Sequence, residues 1–223
     1  EILRYFRMEN QSGEFLLDLN PMLAKWEHVV DVFRNPRHHV KIAVVGKYMA
    51  LHDAYRSLYE AMTHGGFPKK IAVEFIKIDS EKVNAENFRE LLKDAQGILV
   101  PGGFGERGVE GKLLAIRHAR ENKIPYFGIC LGMQCAVIEF ARNVLGYKDA
   151  HSTEFDPDSH YPVISLMEEQ NAVVNKGGTM RLGAYPCKLR EGSLIAECYK
   201  QPNIQERHRH RYEFNNAYRN GWK

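Results

Sequence analysis

The chain has 223 residues, 44% hydrophobic and 26% charged, with a formal net charge of +3. This is the composition of a soluble globular protein with room for one substantial domain and an appendage. Acidic and basic residues are interspersed, apart from the run Arg207-His208-Arg209-His210-Arg211, and so mild a balance argues against a nucleic-acid partner. There is no apolar run of about 18 residues and no signal-peptide pattern, so no membrane partner is expected. Cys130, Cys135, Cys187 and Cys198 form no C-x-x-C pair, which argues against a zinc site or a disulfide framework and for a reducing, cytoplasmic setting.

In chain order, residues 1–39 differ in pattern from the rest of the chain. Met8 to Gly13 is polar, Asn20-Pro21 has the form of a helix start, and Met22 to Phe33 reads as an amphipathic helix carrying Trp26, Val29 and Val30. Asn35-Pro36 breaks it. The stretch reads as a linker arm from a preceding domain, and a chain that starts at Glu1 is expected to be a piece of a longer one. From Val40 strands and helices alternate. Strands are expected at Lys41–Gly46, Ile71–Ile78, Gly97–Val100 and Pro125–Ile129, and helices at Asp53–His64, Ala85–Asp94, Val109–Glu121 and Gly132–Asn143. Such units build an open, mostly parallel α/β sheet with helices on both faces, whose ligands bind beyond the carboxyl ends of the strands. After Asp149 the pattern weakens; Tyr161–Leu166, Ala172–Val174 and Arg207–Phe214 read as strands.

Two glycine-rich segments fall at strand ends. Gly128-Ile129-Cys130-Leu131-Gly132 has the form of a nucleophile elbow, in which glycines relieve crowding around one strained, projecting side chain. A helix beginning there adds partial positive charge beside the sulfur and favours thiolate. We read Cys130 as a nucleophile and Cys135 as core. Pro101-Gly102-Gly103-Phe104-Gly105 lacks the Gly-Lys-Ser/Thr ending of a P-loop and the spacing of a dinucleotide fingerprint. It is either a tight strand-to-helix turn or, beside a nucleophile, a source of oxyanion donors: Gly103 N–H together with Leu131 N–H.

These motifs together resemble the class I (triad) glutamine amidotransferases and, among them, the CTP synthase family. The resemblance rests on Pro101 to Gly108 with Gly111-Lys112, Gly128 to Gln134, Ser152 to Pro157, Gly177 to Gly183, Arg207 to Glu213, and Val45 to Tyr48 followed by Asp53-Ala54-Tyr55. It covers roughly residues 40–216. It implies a flavodoxin-like amidotransferase domain over 40–223, its C-terminal part truncated, with 1–39 as the interdomain linker. It further implies glutamine hydrolysis through a Cys130 thioester, with the ammonia passing to an N-terminal synthetase domain that converts UTP to CTP. Glutamine would be held by Gln134, Glu154, Arg211 and Tyr212, residue types suited to an amino acid's ammonium and carboxylate. No cofactor or metal is implied in this domain; ATP and Mg belong to the synthetase domain, GTP is an activator, and the full-length protein is expected to be a homo-oligomer. The family's base is a His-Pro-Glu after a late strand, and the 223 residues contain none. His208 and His210 with Glu213 are set aside as replacements, because that segment matches a substrate-contact strand and a histidine in a basic run usually faces solvent. His118 reads as surface and His151 as a residue of the pocket mouth. The expectation is little turnover by this chain. A non-catalytic glutamine-binding or regulatory module, a related Cys hydrolase and a nucleotide-binding protein are the alternatives.

Overall fold

Strands β1 (His38–Gly46), β2 (Ile71–Asp79), β3 (Gly97–Val100) and β4 (Tyr126–Gly128) form one sheet in the order β2-β1-β3-β4, with β3 and β4 parallel. The structure, a computed structural model, describes residues 20–51, 53–166 and 183–222. Ala43, Val44 and Val45 of β1 and Val100 of β3 are fully buried, which is why these segments are uninterrupted apolar runs and not alternating ones. Strand order reverses between β1 and β3, so the crevice beyond their carboxyl ends is a topological switch point. No described helix is long and apolar enough to cross a membrane.

The chain divides into two compact units. The first comprises Glu1–Ile42 and Ala50–Ile76 and holds α1 (Asn20–Arg34) and α2 (Arg56–Gly66). The second comprises Ala43–Met49 and Lys77–Lys223 and holds every residue proposed for chemistry. In it α3 (Phe88–Leu92) packs on α4 (Val109–Glu121), and α4 packs on α5 (Leu131–Asn143) and β3. The α5 stripe Leu131, Cys135, Ile138 and Ala141 is buried at helical spacing. Glu139, also buried on α5, accepts a forked pair of bonds from Arg120 of α4, with Nη2 at 2.8 Å, which satisfies its charge.

Two expectations change. Helix 85–94 shrinks to α3 because Asn84 Oδ1 accepts the N–H groups of Glu86 and Asn87, a side-chain turn that takes up the donors a longer helix would use. The expected strand 207–214 splits. Up to Arg207 the chain is β8 (Asn203–Arg207), antiparallel to β7 (Ala184–Lys188), whereas β9 (Tyr212–Phe214) pairs antiparallel with β6 (Pro162–Leu166). His208 to Arg211 cross between the two partners. A short parallel β5 (His151–Ser152) completes the β6 sheet, and α6 (Leu194–Tyr199) lies between β7 and β8 in the chain. The expected strand Ala172–Val174, the turn-rich run up to Leu182 and the polar part of the linker arm lie outside the described residues.

Lys112, at the start of α4, is 1% exposed, and its Nζ has no hydrogen-bond partner among the described residues. Burial pulls its pKa down to about 8. A folded-state value below the unfolded one means that the unfolded chain binds more protons between about pH 8 and about pH 10.5, so wild-type stability rises across that interval. Below it the penalty of a buried, unpaired ammonium is present in full. Lys112→Met is therefore expected to stabilise the fold at pH 7 by about 1–3 kcal/mol, with the advantage shrinking toward pH 10.5. Urea denaturation at pH 7 and pH 10 checks both the sign and the trend.

Candidate active site

The turn between β4 and α5 puts Cys130 at the N-cap of the helix with φ 55° and ψ −111°. A side chain with a left-handed φ costs on the order of 1–3 kcal/mol and persists only where its flanks are held. Here they are held. Ile129 N–H donates to Val100 O at 3.0 Å, Gly132 N–H to Ile129 O at 2.9 Å, and Gln134 N–H to Cys130 O at 3.1 Å. The strained residue is thus braced against the end of β3 and the first turn of α5, the elbow geometry expected from Gly-x-Cys-x-Gly. The loop after β3 approaches from the other side. A Cβ on Gly102 would stand 3.2 Å from the Cys130 Cβ, so only glycine lets that backbone come so near without a shift.

Two backbone donors, Leu131 N–H and Gly103 N–H, are directed at the Cys130 sulfur. Beside it a cavity of about 300 Å3 brings together Gly103, Cys130, Gln134, Glu154, Arg211 and Tyr212, residues from four separate stretches of chain. Leu131 contributes only its backbone, since its side chain is buried. Gln134 is buried too and donates from Nε2 to Tyr212 O at 2.8 Å, tying α5 to β9 across the cavity floor. Glu154 accepts the Gly105 N–H.

The electrostatics correct one expectation. The Cys130 thiol is pushed above its ordinary value: burial outweighs the two N–H donors, and the nearby Glu154 charge adds to the rise. A helix start alone does not offset desolvation where no cation pairs with the sulfur. Burial also raises Glu154, partly countered by the Gly105 N–H and the Lys47 ammonium. An incoming ammonium beside Glu154 would favour its ionised form. The arrangement therefore offers a nucleophile, two convergent N–H donors, a carboxylate for a cation and a guanidinium for an anion, the complement needed for acyl transfer on an amino acid.

His210, Arg209 and Phe104 also line this cavity; they lie in motifs that the sequence points to, but none of the three was named from it as a site residue. His208 and His210 are half-buried rather than solvated. His208 Nδ1 lies 3.0 Å from Glu213 Oε1, and its ring meets that of His210 at 4.7 Å. Burial and the neighbouring His208 hold His210 toward its neutral form. Their place follows from the crossing between β8 and β9, which alternation within one strand does not reveal. His118 is half-buried against Phe88, and His151 lines a different cavity, with Ser80 and Glu110. Cys135 is fully buried, as expected of core. Among the described residues no group of three or more His, Cys, Asp or Glu is placed to hold a metal ion.

Fold and site define a class I amidotransferase, and the glutamine amidotransferase class-I family model matches residues 50–223; the chain belongs to that family. Its relatives narrow this to the CTP synthase branch. It is 61% identical over 197 residues to the CTP synthase of Caldanaerobacter subterraneus subsp. tengcongensis (88% of this chain, 37% of that protein), and 53% identical over 218 residues to that of Hydrogenobaculum sp. (98% and 39%). Among solved structures, the Trypanosoma brucei CTPS glutaminase domain with bound acivicin matches with a TM-score of 0.73 and 44% identity, covering 80% of this chain and 69% of that one. The chain thus spans little more than a third of the length of the curated relatives it matches.

Proposed function

We propose that this domain hydrolyses glutamine through a thioester on Cys130 and supplies ammonia for the conversion of UTP to CTP. The observation that carries the reading is the strained Cys130, with the Gly103 and Leu131 N–H groups on its sulfur, facing a cavity that holds Glu154 and Arg211. The thiolate adds to the γ-carboxamide carbon, and the two N–H groups receive the oxyanion. The C–N bond then breaks as the nitrogen takes up a proton, releasing ammonia and leaving the γ-glutamyl thioester; water hydrolyses this to glutamate and restores the thiol. Glu154 holds the ammonium of glutamine and Arg211 its carboxylate, with Gln134 and Tyr212 closing the cavity. The CTP synthase relatives, of which the chain spans a fraction, support a synthetase domain elsewhere in the same polypeptide as the ammonia acceptor and the seat of ATP and Mg. On this reading the whole protein is a cytoplasmic homo-oligomer activated by GTP, and residues 1–39 lead to the domain from the synthetase.

Deacylation needs a base to activate water, and the 223 residues contain no His-Pro-Glu. The polypeptide as it stands is expected to form the thioester yet turn over roughly 10²- to 10⁴-fold more slowly than an amidotransferase with its base in place. Steady-state ammonia release from glutamine, together with intact-mass detection of a γ-glutamyl adduct on Cys130, tests this. Multiple turnover at an ordinary enzymatic rate would overturn the low-turnover reading. Glutamine binding with neither adduct nor ammonia would identify a non-catalytic module.

A further inference from the structure

Lys47 stands immediately after β1, and its ammonium donates to two successive carbonyls, Phe104 O and Gly105 O, in the loop beyond β3. The Phe104 carbonyl and the Gly105 N–H belong to one planar trans peptide unit, so they point in opposite directions. Drawing the carbonyl toward Lys47 therefore turns the Gly105 N–H away from it, and that N–H donates to the Glu154 carboxylate. Earlier in the same loop, Gly103 presents its N–H to the Cys130 sulfur. Gly105 has a φ of +73°, a conformation that few side chains would maintain unaided and that the clamp on its carbonyl helps to hold. A single cation thus restrains a glycine-rich loop that serves both ends of the site.

We propose that Lys47 is a positioning residue: by gripping the Phe104 and Gly105 carbonyls it aims the Gly103 N–H at the reacting centre and the Gly105 N–H at Glu154. The oxyanion donor and the acceptor of the glutamine ammonium then depend on one side chain that touches neither the nucleophile nor the substrate. The inference rests on the glutaminase reading above. Charged and titratable groups facing Lys47 are Arg107, which is 3.6 Å from Glu81, then Glu81, Glu154, Cys135 and Lys112. Among these Glu154 is the one whose ionisation the substrate's ammonium requires. Removing the Lys47 charge withdraws a stabiliser of the Glu154 carboxylate, so Glu154 stays protonated to higher pH.

The test compares two electrophiles on the 223-residue chain: a chloroketone analogue of glutamine, which needs both ends of the site, and iodoacetamide, which needs only the thiol. Their rate ratio at Cys130 cancels changes in thiol reactivity. Lys47→Met is expected to lower the ratio at least 10-fold at pH 7.5 and to move its acidic limb upward by half a pH unit or more. Lys47→Arg, which keeps the cation and its donors, is expected to stay within 3-fold of wild type. A Lys47→Met ratio within 2-fold of wild type, or a Lys47→Arg ratio as low as that of Lys47→Met, overturns the inference. Lys47 is only part-buried; if the Met variant nevertheless fails to fold, Lys47→Gln, of shorter reach and without the charge, takes its place with the same thresholds. A wild-type chain that shows no preference for the chloroketone overturns the glutaminase reading itself and the inference with it.

Discussion

Replacing Cys130 by alanine is expected to reduce labelling by a glutamine-like electrophile by about 10⁴-fold or more, to the rate of the remaining thiols, because no other described cysteine lines the cavity. Cys135, Cys187 and Cys198 act as internal controls: the first is buried, and the other two are exposed on β7 and α6, outside that cavity. Cys130→Gly should abolish labelling equally, and its effect on stability is more informative than its effect on activity. Alanine retains a Cβ at φ 55°, whereas glycine adopts that backbone freely. The glycine variant is therefore expected to be more stable than the alanine variant by about 1 kcal/mol, after allowance for glycine's larger unfolded-state entropy. In a domain of this size that is a rise of about 2–4 °C in Tm, read by calorimetry on the two variants side by side. Equal melting temperatures would show that the elbow is unstrained in solution and remove the main argument for Cys130 as nucleophile.

Gly132→Ala is expected to be strongly damaging despite its small change in volume. A Cβ at that position would stand 2.0 Å from Val100 O and 2.9 Å from its carbonyl carbon, both backbone atoms of β3 that cannot rotate aside. The first turn of α5 would have to lift off the end of β3. Tyr126 Oη, which donates to Gly132 O at 2.7 Å, would have to move with it. Overpacking against a side chain costs about 1–3 kcal/mol; against backbone the upper end or more is expected, a fall in Tm of about 6–12 °C. The functional loss should exceed what stability predicts, because lifting α5 carries Leu131 N–H and Cys130 away from the loop that supplies Gly103. Circular dichroism melting and the chloroketone rate at a temperature where the variant remains folded separate the two effects. A variant that melts and labels like wild type would mean that the helix does not rest on β3 as described.

Much of the domain's first half was readable from local pattern. The runs Ala43 to Val45 and Ile98 to Val100 are continuous and apolar because both faces are covered, and Val109–Glu121 emerged with its boundaries intact because its amphipathic stripe and flanking glycine agree. Cys130 was readable for a different reason: glycines two residues to either side are worth keeping only where the backbone bends sharply and comes close to something else. The second half was less readable. Arg207 to Phe214 alternates as one strand would, yet its ends belong to different partners, and strand partners are long-range choices that alternation does not encode.

The candidate nucleophile, the order of strands and helices along the first half, and the family are all written in adjacent residues: an elbow, an apolar run, a glycine loop. Who stands beside whom is not. Folding placed His210 and Arg209 in the cavity, drew Lys47 onto the loop from β3, and raised the Cys130 thiol where the helix start alone suggested it would fall. One cause underlies all three. Burial, and the meeting of side chains from distant segments, are properties of the packed chain, and desolvation acts on a sulfur only once the rest of the domain has closed around it.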